Sequence, residues 1–159
     1  ATDVGPLVDE NAAVRIVSWI DEAVDGGAKL LTGGVRDGAS VGPAVLVDVP
    51  EDAKVWREEV FGPVVVLAPV DGVDGAIAAV NDSRFGLQTG VFTKDTQTAF
   101  RFFSELHVGG VIIGDVPSYR ADQMPYGGVK ESGVGREGVA YAMTDFTEER
   151  VMVLTGIDL

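Results

Sequence analysis

The sequence predicts an α/β fold in which helices flank a mainly parallel sheet. Three observations carry that prediction. Short β-branched runs alternate with stretches of helical apolar periodicity, one run is apolar almost throughout, and glycine or proline punctuates nearly every junction. Strands alternating with helices at this spacing imply right-handed crossovers, and hence parallel neighbours.

The first element is a helix: Ala13, Ile16, Val17, Ile20, Ala23 and Val24 recur at steps of three and four. Asp9 is placed to cap its start, and Gly26-Gly27 to end it. A short strand over 29–32 closes at Gly33-Gly34, residues 35–43 are rich in turn formers, and 44–49 reads as a strand stopped by Pro50. The nearly uninterrupted apolar run 64–68 predicts a strand buried on both faces. A helix over 74–80 turns Ile77 and Val80 inward, and a strand follows at 90–93. Asp95 caps the next helix, in which Ala99, Phe102, Phe103 and Leu106 form the expected buried stripe. Residues 110–113 form another buried strand, 114 to about 135 are irregular, 136–142 are helical, and 151–154 form a last strand. No internal repeat or linker interrupts this order.

Composition narrows the function. The 159 residues are the size of one domain, 46% hydrophobic and 23% charged, with mean hydropathy +0.20, which describes a globular chain. The apolar share is high for a free-standing domain and implies apolar surface that faces a partner. With 25 acidic against 12 basic residues the net charge is −13. Such a field repels phosphate backbones, which excludes nucleic-acid binding and requires local donors for any anionic cofactor. There is no cysteine, so disulfides, zinc–thiolate centres and a thiol nucleophile are excluded within the chain. The absence of a leader and of a long apolar run predicts a soluble, cytoplasmic protein without a membrane partner. The start at Ala1 fits either removal of an initiator Met or a cut from a longer chain.

Two segments carry candidate chemistry. In Trp56-Arg57-Glu58-Glu59-Val60-Phe61-Gly62-Pro63, the carboxylates are either a solvated acidic pair beside a core Phe61, or acceptors for vicinal hydroxyls such as those of a ribose. In the second reading Phe61 offers an apolar wall. The stretch from Met124 to Gly138 is glycine-rich, and Gly133, Gly135 and Gly138 satisfy G-x-G-x-x-G. That match lacks the preceding strand and the later acidic residue that a dinucleotide fingerprint needs, so it carries no nucleotide site. His107, which follows the helical stripe, reads as a structural or surface residue.

Taken together, these segments are similar to the aldehyde dehydrogenase family. Glu58-Glu59-Val60-Phe61-Gly62-Pro63 resembles its E-E-x-F-G-P signature, and the run from Pro125 to Glu137 resembles P-F-G-G-x-K-x-S-G-x-G-R-E. Asn81 to Phe92, Asp3 to Leu7 and Gly27 to Gly34 resemble further family blocks, in order. The resemblance therefore covers essentially the whole chain. It implies the C-terminal part of the family's catalytic domain over 1–145, followed by a terminal strand over 146–159 that serves oligomerisation.

By the same resemblance, the complete enzyme oxidises a small aldehyde to the acid with NAD or NADP through a cysteine thiohemiacetal. Glu59 would bind the nicotinamide-side ribose and Phe61 would pack against that end of the cofactor. Tyr126, where the family has Phe, would line the substrate tunnel. The loop from Asp115 to Asp122 most resembles subfamilies acting on lactaldehyde-like or phosphorylated small aldehydes. There Arg120 either pairs with a substrate anion or makes an internal ion pair with Asp122. The nucleophile, the general base and most of the cofactor domain would lie in a missing N-terminal portion, leaving this chain inactive alone. Gly114 departs from the asparagine common in the family. The expected assembly is a homo-oligomer, and the competing reading is a non-catalytic remnant acting as a binding or oligomerisation module.

Overall fold

The computed structural model describes residues 3–156. The chain forms two compact units, Ala1–Asp71 and Gly72–Leu159.

In the first unit, helix α1 (Glu10–Asp25) is capped as the sequence predicts: the Asp9 carboxylate accepts from the Ala12 N–H at 2.7 Å. Its apolar stripe buries Ala13, Ile16, Ile20 and Ala23. The helix stops at Gly26, and the next residue, Gly27, takes φ 113°. Strand β1 (Lys29–Thr32) is followed by the two-residue strands β2 (Arg36–Asp37) and β3 (Ser40–Val41), then by β4 (Ala44–Val47). Helix α2 (Lys54–Arg57) and strand β5 (Val64–Leu67) complete the unit. The sheet order is β1-β4-β5.

β4 and β5 run parallel, with Ala44 opposite Val64, as strand–helix alternation predicts. β1 runs antiparallel to β4 because only the β2–β3 excursion separates them, and that is too short for a crossover. Ala13, Ile16, Ala44 and Leu46, each at most 1% exposed, form the centre of the core.

β5 departs from the sequence reading: its residues alternate between half-buried and exposed, with Val65 and Leu67 about half exposed. An apolar run shows that both faces avoid water in the finished protein; it does not show that the covering residues belong to the same segment of chain.

In the second unit, helix α3 (Gly72–Asp82) buries Ile77 and leads through β6 (Phe85–Gly86) into β7 (Gln88–Val91). β7 lies two residues earlier than predicted, because it pairs in parallel with β8 (Gly110–Ile113) from Gln88↔Gly110 onward. Helix α4 (Thr96–Glu105) joins these strands, with Asp95 capping it by accepting from Thr98 N at 2.8 Å. Strand β9 (Val129–Lys130) pairs antiparallel with β6 inside the stretch predicted to be irregular. Helix α5 (Val139–Asp145) starts three residues later than predicted.

The α4 stripe is corrected in part. Leu106 is buried and Ala99 and Phe102 are half-buried, but Phe103 is 69% exposed, beside Phe100 at 68%. The predicted strand over 151–154 is not formed. Those residues pair with no strand among the described residues, and an isolated strand leaves its backbone groups without partners. The end of the expected oligomerisation segment, 157–159, lies outside the described residues. No helix among them is long and apolar enough to cross a membrane.

Candidate functional site

The Glu58–Pro63 turn is held at both ends and in its middle. Arg57 Nε donates to the Glu51 carbonyl at 2.6 Å, and Glu58 N–H donates to the Lys54 carbonyl at 2.8 Å. Arg15, whose guanidinium lies 4.6 Å from the Trp19 ring centroid, donates to the Val60 carbonyl at 2.8 Å. At the far end the Pro63 carbonyl accepts from Ala44 N–H. Gly62 lies against α1, and a β-carbon there would have to displace the end of the buried Ile16 side chain.

The fixed path forces Phe61 into the left-handed region, φ 50°, with the residue 72% exposed. That conformation costs a phenylalanine roughly 1–2 kcal/mol. Among the described residues Phe61 therefore plugs no core of this chain. It borders a groove of about 570 Å³ with Val8, Ala12 and Arg15. Next to it Glu59 is exposed and makes no hydrogen bond or ion pair among the described residues, while Glu58 is half-buried.

The glycine-rich stretch of the second unit is built as scaffold. Lys130, itself at φ 56°, donates to the carbonyls of Asn81 and Ser83 at 2.9 and 2.8 Å, closing the C-terminus of α3. The Ser132 hydroxyl accepts from Gly86 N–H at 3.0 Å. Arg136 donates to the carbonyls of Gly128 and Gly135. Asn81 receives the His107 N–H and donates to the Glu105 carbonyl, leaving the His107 side chain exposed as expected. The lysine, serine and arginine of the motif thus hold backbone, and no strand leads directly into Gly133-Val134-Gly135.

Two further motif residues border an open cup, Glu137 exposed and Tyr126 half-buried. Tyr126 and Glu137 form an antiparallel bridge, each N–H donating to the other's carbonyl at 3.1 and 2.6 Å. They line a cup of about 480 Å³ with Ser132, Arg136 and the glycines between them. The guanidinium of Arg120 lies 4.3 Å from the Tyr126 ring centroid, and its Nη2 is 3.3 Å from Glu137 Oε2. The internal partner of Arg120 is therefore Glu137 and not Asp122, because the bridge carries Glu137 to the face where Tyr126 holds the guanidinium. Gln88 fixes the loop that presents Arg120 by donating to the carbonyls of Pro117 and Tyr119. The motif alone does not place Glu137 beside Arg120; the Tyr126–Glu137 bridge does. Gly114, where the family commonly has asparagine, takes φ 84°, a conformation that glycine adopts freely. Among the described residues no cluster of histidine, aspartate or glutamate could hold a metal ion.

Arg120 and Tyr126 lie together in the second unit, and Glu59 and Phe61 share one turn of the first. In an α/β chain of this kind, the exposed Glu59 on the turn that carries Phe61, and separately the Tyr126-backed guanidinium of Arg120, are candidate small-molecule contacts, each within its own unit. The aldehyde dehydrogenase family model matches residues 1–152, and the chain belongs to that family.

Among curated relatives, 3-sulfolactaldehyde dehydrogenase of Priestia aryabhattai is 51% identical over 96% of this chain and 32% of its own length. A lactaldehyde dehydrogenase of Methanococcus maripaludis is 40% identical over 98% of this chain and 33% of its own. The chain thus spans about a third of the length of the curated relatives it matches.

Solved structures agree. Aldehyde dehydrogenase 21 of Physcomitrella patens, in complex with the reaction product succinate, superposes with a TM-score of 0.94 at 48% identity. It covers 98% of this chain and 32% of its own. An NADP-dependent glyceraldehyde-3-phosphate dehydrogenase of Bacillus halodurans complexed with NADP gives 0.90 at 40% identity, over 96% and 32%. The NAD+ complex of an aldehyde dehydrogenase from Bacillus cereus gives 0.86 at 37% identity, over 92% and 30%.

Proposed function

We propose that this chain is one part of a cytoplasmic, homo-oligomeric aldehyde dehydrogenase that oxidises a small anionic aldehyde to its acid with NAD or NADP. The observation that carries the cofactor half of the reading is Glu59: an exposed carboxylate without a partner among the described residues, on the same turn as a ring held outward at some cost in backbone strain. A carboxylate in that state accepts hydrogen bonds from both hydroxyls of a ribose, and Phe61 excludes water from the same end. The nicotinamide, when bound, supplies the hydride-accepting chemistry. What this chain supplies is position: Glu59 and Phe61 for the cofactor, Tyr126 and Arg120 for the substrate.

The anionic preference rests on Arg120, whose guanidinium is stacked on Tyr126 with donors left at its edge. The relatives named for 3-sulfolactaldehyde and glyceraldehyde-3-phosphate, and the neighbour holding succinate, all carry an anion on the substrate or product. The thiolate nucleophile must come from outside these residues, since the chain has no cysteine. The missing cysteine also favours the competing reading, a non-catalytic binding or oligomerisation module.

The test is kinetic, in a full-length protein that contains this chain. Glu59→Gln should raise the KM for the nicotinamide cofactor about tenfold, and Arg120→Ala should raise the KM for anionic aldehydes without an equal rise for neutral ones. The isolated chain should show neither turnover nor NAD+ binding by calorimetry. Turnover by the isolated chain, or a Glu59→Gln enzyme with wild-type cofactor KM, would overturn the assignment.

A further inference from the structure

We propose that Glu137 is an internal counter-ion that an anionic substrate displaces from Arg120, so that Glu137 sets how strongly the site prefers an anionic substrate over a neutral one. The inference rests on the reading of Arg120 as the substrate-anion group and adds a residue to it.

The Arg120–Glu137 contact is single and long, 3.3 Å, between side chains that are 50% and 71% exposed. An exposed, monodentate pair of this kind shifts an equilibrium constant by no more than a few-fold. A sulfonate, phosphate or carboxylate that meets the guanidinium edge with two oxygens makes the stronger, bidentate arrangement.

The geometry permits the exchange at little cost. Tyr126 backs the guanidinium from its face, so the ring contact survives when the edge changes partner. Glu137 is fixed by its backbone pairing with Tyr126 and not by its carboxylate, so the side chain swings away without moving the chain. The neighbouring cation, Arg136, is committed to the Gly128 and Gly135 carbonyls and does not compensate for the displaced carboxylate. The resident carboxylate therefore lowers the affinity for any incoming anion by the cost of its displacement and leaves a neutral substrate unaffected.

The relatives' names provide a matched pair of probes, 3-sulfolactaldehyde and lactaldehyde, which differ by the sulfonate. In a full-length protein containing this chain, Glu137→Gln should shift the ratio of the two KM values about threefold to fivefold toward 3-sulfolactaldehyde. An unchanged ratio, or a shift toward lactaldehyde, would overturn the inference. Arg120→Ala separates the two levels. If it collapses the ratio while Glu137→Gln leaves it alone, only the counter-ion role fails; if it leaves the ratio alone, the anionic reading fails with it.

A second measurement needs no change at Glu137. In the wild-type full-length protein that contains this chain, titration with methanesulfonate should move the carboxyl carbon resonance of Glu137, and Arg120→Ala should abolish that movement. A Glu137 resonance that stays still while the Arg120 Nε–H responds would also overturn the proposal.

Discussion

Phe61 carries two opposing demands, and their sizes can be compared. The left-handed backbone costs a phenylalanine roughly 1–2 kcal/mol, while its largely exposed ring returns little burial energy. Glycine at this position would remove the strain but lose about 0.4–1 kcal/mol through a freer unfolded chain. Phe61→Gly should therefore leave thermal stability within about 1 kcal/mol of wild type. Phe61→Val, a β-branched residue at positive φ, should cost about 1–2 kcal/mol. Thermal unfolding of the two variants decides the matter: if glycine is the more damaging, the ring packs in a way its exposure does not reveal. A residue kept in a strained conformation with its ring outward serves something other than this chain's own stability.

Helix α4 shows what an element's sequence does and does not encode. Its start was legible because Asp95 is a short acceptor ahead of an apolar stripe, and the cap forms with Thr98 as partner. The side-chain and backbone hydrogen bonds from Thr98 hold the Asp95 carboxyl below its ordinary value of 3.8. A carboxyl depressed in the folded state stabilises above its unfolded value and loses that contribution as the pH falls through the lower folded value. Glu105 behaves alike, held low chiefly by its hydrogen bond with Arg101, which also reaches Asp74 of α3. Asp95→Asn keeps a cap acceptor without the charge, so its acid-unfolding curve should be flatter than wild type below about pH 4. An unchanged acid limb would mean that the cap is not formed in solution. Less legible was which apolar positions are covered. The stripe was read from periodicity, yet Phe103 stands exposed. The strand predicted at 151–154 and the doubly buried β5 failed for the same reason: periodicity identifies a face that avoids water, and the residues that cover it can lie anywhere in the finished protein. The antiparallel β1 and the short β6–β9 pairing escaped because their pairing depends on loop length and long-range register. At the site, the Glu59–Phe61 turn was legible as a motif, whereas the Arg120–Glu137 contact needed the bridge at Tyr126.

At the scale of the molecule the two units differ in how much core they own. The first holds Ala13, Ile16, Ile20, Ala44 and Leu46 essentially sealed from water, whereas the second buries only Ile77, Val91 and Leu106 among its described apolar residues. Alongside that thin core stand the exposed Phe100 and Phe103 of α4 and the exposed Ile113 of β8. These residues line an apolar groove of about 360 Å³ together with Ala99 and Val111. Local opening is cheapest where few apolar contacts must be broken, so backbone amides of α4 and β8 should exchange with solvent far faster than those of α1. The same measurement separates the two readings of the chain as a whole. As a third of a larger enzyme, it should gain protection over α4 and β8 by at least about a hundredfold when the rest of the polypeptide is present. A binding or oligomerisation module should instead cover this face with a partner or a second copy, and its exchange should not depend on the remainder of the polypeptide. Equal exchange with and without the remainder would favour the non-catalytic reading; a gain confined to α4 and β8 would identify that face as the one the remainder of the enzyme completes.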